Sequence, residues 1–60
     1  MTMGERITAF RKERRWPRRT VAVLTGFSEQ TVTNWEKDVH KPSERAIRAL
    51  EKAFGQQLRK

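Results

Sequence analysis

Thr25-Gly26-Phe27-Ser28-Glu29-Gln30-Thr31-Val32-Thr33-Asn34-Trp35-Glu36-Lys37 decides how this chain folds. Gly26 stands where the chain must bend sharply, because glycine enters the left-handed region freely. Ser28 has the chemistry of an N-cap, with a hydroxyl able to accept from an orphan N–H of the next turn. Phe27 before the cap and Val32 after it have the spacing of a hydrophobic staple. A helix is therefore expected from Glu29 to about Lys37. At roughly 100° per residue, Glu29, Gln30, Thr33, Asn34 and Lys37 share an arc of about 140°, while Val32 and Trp35 point elsewhere. The apolar stripe is narrow, so most of this helix should stay outside the core.

Outward from that stretch, Trp16-Pro17, Lys41-Pro42-Ser43 and Gly55 complete the punctuation. The segment before the turn reads as a helix from Pro17 or Arg18 to Thr25, with Val21, Ala22 and Thr25 inward and Val23 exposed. A first helix is expected from Met3 to Arg14. Thr2 and Glu5 have the spacing of a capping box, Met3, Ile7 and Phe10 form one stripe, and Gly4 is tolerable in the first turn. A further helix is expected from Glu44 to Phe54, capped by Ser43, with Ala46, Ile47, Leu50, Ala53 and Phe54 at helical spacing and Gly55 as the C′ residue. Asp38 to Lys41 reads as a loop. No strand pattern or repeat appears. The expectation is an all-α domain over residues 1–55, followed by a polar tail, 56–60, whose one apolar residue is Leu58.

Composition narrows the function. Sixty residues allow one domain and leave little room for an enclosed substrate pocket. There is no cysteine, hence no disulfide framework and no thiolate metal site, and a lone His40 cannot hold a metal. No enzyme chemistry, cofactor or small-molecule effector is expected. No apolar run approaches the roughly 20 residues of a membrane span, and residues 1–10 lack the apolar core of a signal peptide. A cationic membrane-surface peptide would need a strongly apolar face on each helix, which the helix after Gly26 lacks. High charge leans toward disorder, but large apolar residues at helical spacing favour a folded chain. Fourteen Lys and Arg against 7 Asp and Glu leave a net charge of +7. These features imply a cytoplasmic domain whose partner is a polyanion.

Two helices joined by so short a glycine turn have the form of a helix-turn-helix, whose second helix fits the DNA major groove. Gln30 and Asn34 can pair bidentately with adenine, Thr33 can offer its methyl to thymine, and Glu29 can accept from cytosine N4. The bland alternative is that any amphipathic helix has a polar outer face. The cations favour nucleic acid. Arg11, Lys12, Arg14, Arg15, Arg18 and Arg19 flank the first turn, and Lys37 and Lys41 bracket the loop after the third helix. Arg18 and Arg19 begin the second helix, where outward N–H groups and arginine together suit a phosphate. Arg45 opposes the macrodipole at the start of the fourth helix, which suggests either an anion partner or simply a solvated face there.

Residues 7–55 resemble the phage repressor/Cro-type helix-turn-helix family. The resemblance rests on Phe10-Arg11-Lys12-Glu13-Arg14, Val21-Ala22, Gly26-Phe27-Ser28, the run from Thr31 to Lys37, and Lys41-Pro42-Ser43. It implies a compact domain of four to five helices that binds double-stranded DNA. By position it places Glu29, Gln30, Thr33 and Asn34 as base readers and makes Arg11 and Glu36 an ion pair between the first and third helices. Arg18 takes the place of a glutamine that touches phosphate and base, and an arginine keeps the phosphate contact. Arg18, Arg19, Lys37, Lys41 and Arg45 are the expected phosphate contacts. Trp35 reads as core, with its indole N–H free to reach a phosphate. The chain departs from the family pattern at Asp38, where glycine is usual, at Thr25, where leucine is usual, and in lacking a fifth helix.

One such unit reads only a few base pairs, so a homodimer on an inverted repeat is expected, with half-sites roughly 34 Å apart. Val23, Val39 and Leu58 are the candidate dimer contacts. Steric occupation of a promoter, its own included, would make the protein a repressor. The competing reading is an antitoxin-like or phage accessory protein whose main partner is another protein.

Overall fold

A computed structural model describes residues 1–58. The elements are α1 (Met3–Glu13), α2 (Arg18–Thr25), α3 (Glu29–Glu36) and α4 (Glu44–Phe54), with no strand among the described residues. Three helices begin on side-chain caps. Thr2 Oγ1 accepts from Glu5 N at 3.1 Å while Glu5 Oε1 accepts from Thr2 N at 2.9 Å, which is the reciprocal capping box. Ser28 accepts from Thr31 N and Ser43 from Ala46 N. α2 starts instead after Pro17, which supplies no side-chain cap. Gly26 and Gly55 end α2 and α4 in the left-handed conformation, with φ of 80° and 71°. Arg14 and Lys37, expected as last helical residues, are the C-caps of α1 and α3.

The core draws on every helix: Ile7 from α1, Val21 and Ala22 from α2, Val32 and Trp35 from α3, and Ala46, Leu50 and Phe54 from α4. Met3, Phe10, Trp16 and Phe27 pack around it, half-buried. The Phe27 ring meets Trp35 edge-on at 5.0 Å, which fixes the turn against α3.

Two features differ from expectation, at Leu58 and Gly4. Leu58 is fully buried and belongs to the core, so it is not a surface available to a second protomer. After Gly55 the chain folds back. Leu58 N donates to Glu51 Oε2 at 2.9 Å, and Leu58 O accepts from Arg6 Nη1 at 3.2 Å. Gly4 is required, not merely tolerated: a Cβ there would lie 2.5 Å from Trp35 O and 2.6 Å from Glu36 O. The start of α1 is thus pressed against the end of α3. Asp38 closes that junction. Its φ of 59° is costly for a residue with a Cβ, but its Oδ1 accepts from Gly4 N at 3.1 Å and its Oδ2 from Thr2 Oγ1 at 2.7 Å. A glycine at this position would relieve the backbone and lose both bonds. Thr25, in place of an apolar residue, folds its hydroxyl back onto Val21 O at 2.8 Å, which satisfies it within α2.

Candidate nucleic-acid interface

The faces of α3 follow from its sequence period. Val32, Trp35 and Glu36 are buried, Glu29 and Gln30 are exposed, and Thr33 and Asn34 are half-buried. Lys37 is exposed at the C-cap. Gln30 Nε2 donates to Asn34 Oδ1 at 3.1 Å, so the two amides form one connected edge. The loop that follows is held to the helix end, with Val39 N donating to Asn34 O at 2.9 Å and Asp38 N to Trp35 O at 3.1 Å.

The cations divide into two groups. Arg14 is spent on the fold. Its guanidinium lies 5.3 Å from the Phe54 ring, 5.7 Å from Phe10 and 5.9 Å from Trp16, and it donates to Phe10 O and Phe54 O. Phe54 also stacks on Trp16 at 5.9 Å and meets Phe10 edge-on at 5.5 Å. Arg11 is spent as well: its Nε and Nη2 donate to Glu36 Oε2 at 2.6 Å and Oε1 at 3.0 Å, and its Nη1 to Trp16 O at 3.0 Å. These two members of the expected basic cluster therefore leave it. Lys12, Arg15, Arg19, Lys37, Lys41 and Arg45 are exposed, and their side chains form no hydrogen bond or ion pair among the described residues.

Arg18 is intermediate. Its Nε donates to Glu36 Oε1 at 3.0 Å, with the side chain 40% exposed against 1% for Glu36. This second arm of the ion pair has no local sequence signal, because its partners lie 18 residues apart and meet only through the bend at Gly26. Burial alone would push the Glu36 carboxyl up. The hydrogen bonds and charges of Arg11 and Arg18 together outweigh that and hold it below its ordinary value. The carboxylate is thus kept ionised, and the two guanidiniums cover it.

Trp35 is 4% exposed. Among the described residues its indole N–H has no partner and no polar side-chain atom is both sealed and unsatisfied. The N–H therefore opens to solvent at the surface while the ring fills the core.

Two helices across a glycine turn, with an amide-bearing outer face on the second and unpaired cations around it, define a DNA-binding helix-turn-helix domain. The chain belongs to the Cro/C1-type helix-turn-helix family, whose model, described as helix-turn-helix, matches residues 7–60. It is accordingly a DNA-binding transcriptional regulator. Searches of curated proteins and of solved structures gave no match. No helix among the described residues is long and apolar enough to cross a membrane.

Proposed function

We propose that this protein is a sequence-specific transcriptional repressor that binds an inverted-repeat operator in double-stranded DNA as a homodimer, in the cytoplasm. The observation that carries the reading is the division of α3. Val32, Trp35 and Glu36 root it, and Glu29, Gln30, Thr33 and Asn34 are left for base edges. Arg18, Arg19, Lys37, Lys41 and Arg45, with the Trp35 N–H, supply the phosphate contacts that fix register without reading sequence. About five such cations per protomer give a salt slope near −4.5 at roughly 0.9 per phosphate.

The Gln30–Asn34 bond refines the readout. With one lone pair of its Oδ1 taken, Asn34 keeps both N–H donors and one acceptor site, while Gln30 keeps its Oε1 and one N–H. Gln30 can then take adenine bidentately, and Asn34 suits an acceptor on the neighbouring base. Val23 and Val39 remain exposed, at 73% and 60%, and with Leu24, 52% exposed, are apolar residues available to a second protomer. They also leave open a different protein partner of the antitoxin-like kind.

The test is selection of operator sequences from a random pool, followed by affinity measurements on the selected site. Gln30→Ala and Asn34→Ala should each lose roughly tenfold or more on the selected site and little on unrelated duplex. Equal losses on both duplexes would refute base reading by α3.

A further inference from the structure

We propose that Glu36 is a positioning residue for DNA binding: it grips Arg18 by Nε so that the two terminal nitrogens of that guanidinium stand as a fixed fork for one backbone phosphate. The inference rests on the functional reading above and adds to it the device that orients a phosphate contact.

The argument begins with the carboxylate. Glu36 is sealed, its side chain 1% exposed, and it takes donors from two helices. Arg11 of α1 covers both of its oxygens. That pair alone would satisfy and neutralise it, so Arg18 is not needed to keep Glu36 in place. Arg18 nevertheless turns its Nε to Glu36 Oε1 at 3.0 Å. Nη1 and Nη2 of Arg18 have no partner among the described residues, and the side chain remains 40% exposed. A guanidinium anchored at Nε loses most of its rotamer freedom and keeps a planar pair of donors at its far end. That geometry matches two phosphate oxygens. Arg11 and Arg18 against one carboxylate also leave the cluster one positive charge, which a phosphate would neutralise. Arg18 opens α2, where Pro17 gives the first N–H groups no side-chain cap, so backbone donors stand beside the fork.

Arg14 and Arg11 show what a purely structural arginine looks like in this fold: each is engaged through its terminal nitrogens. Arg18 is engaged only through Nε.

The experiment measures affinity and its salt slope on a mixed-sequence duplex of about two helical turns, for wild type, Arg18→Ala, Arg18→Lys and Glu36→Gln, with folding checked by circular dichroism. Arg18→Ala should flatten the slope by about one unit per protomer bound. Arg18→Lys keeps the charge and should keep the slope, but an ammonium cannot hold Glu36 and fork a phosphate together. Its affinity should fall roughly tenfold. Glu36→Gln separates orientation from charge by sign. Removing a negative charge beside DNA raises affinity if only electrostatics matter; loss of the grip lowers it. Wild-type affinity in Arg18→Lys, or raised affinity in a folded Glu36→Gln, overturns the proposal. Should Glu36→Gln fail to fold, Arg18→Lys decides alone. A wild-type protein with no salt-dependent binding to the duplex would instead refute the DNA-binding reading itself.

Discussion

Replacing Leu58 by alanine isolates the least expected part of the core. The side chain is fully buried in the cluster that includes Ile7, Leu50 and Phe54. Leu→Ala at such sites costs about 2–5 kcal/mol, the upper end applying where the cavity cannot collapse. The lower half of that range is expected here, because Leu58 lies three residues past Gly55 and its segment can settle inward. The backbone bonds to Glu51 and Arg6 survive the substitution, so the loss reports the side chain alone. A 60-residue domain has roughly 3–9 kcal/mol in total at about 0.05–0.15 kcal/mol per residue. A loss of about 3 kcal/mol would thus remove a third or more of it. At about 4–8 °C per kcal/mol the melting temperature should fall by roughly 10–25 °C. Urea titration followed by circular dichroism measures this, with Val23→Ala as control. Val23 is 73% exposed, and its truncation should stay within about 0.5 kcal/mol. A Leu58→Ala loss no larger than that of the control would refute the burial of this residue.

Gly4→Ala should destabilise by about 1–3 kcal/mol, because the new methyl meets two backbone carbonyls. In an open helix the same change would gain up to about 1 kcal/mol, so a gain in the urea midpoint would contradict the α1–α3 approach. Arg14→Ala should cost about 2–3 kcal/mol, from its ring contacts and its bonds to two carbonyls. It should leave the salt slope for DNA unchanged; a slope flatter by one unit would put Arg14 back among the phosphate contacts. Acid should unfold the protein partly through Glu36. Its carboxyl is lowered in the folded state, so its contribution is complete above the ordinary value of 4.5 and is lost as pH falls through the lowered one. Urea midpoints measured against pH should therefore drop in acid, and Glu36→Gln should make that limb shallower.

Local signals carried most of this architecture. The Thr2, Ser28 and Ser43 caps, the bend at Gly26 and the stop at Gly55 each depend on a few adjacent residues, and their chemistry is the same in the sequence as in the fold. The periodic placement of Val32 and Trp35 likewise oriented α3 correctly. Leu58 escaped because Gly55 ends α4 in the left-handed conformation, so the i−4 spacing from Phe54 no longer marks its side. Its burial is decided by Arg6 and Glu51, which belong to other turns of the chain. The requirement for Gly4 escaped for the same reason, since the carbonyls that exclude a Cβ belong to α3.

The arginines make the point at the site itself. Arg14 and Arg19 lie in one basic run, and composition treats them alike. Phe10, Trp16 and Phe54 draw Arg14 into the fold, whereas Arg19 faces solvent with no partner among the described residues. Net charge therefore overstates the charge available to a duplex, because counterion release counts the cations that reach phosphates and not those that neutralise Glu36 or cap carbonyls. Arg11 and Arg14 are spent within the fold, whereas the terminal nitrogens of Arg18 have no partner among the described residues. The expected salt dependence follows from this sorting of side chains, which only the packed structure supplies.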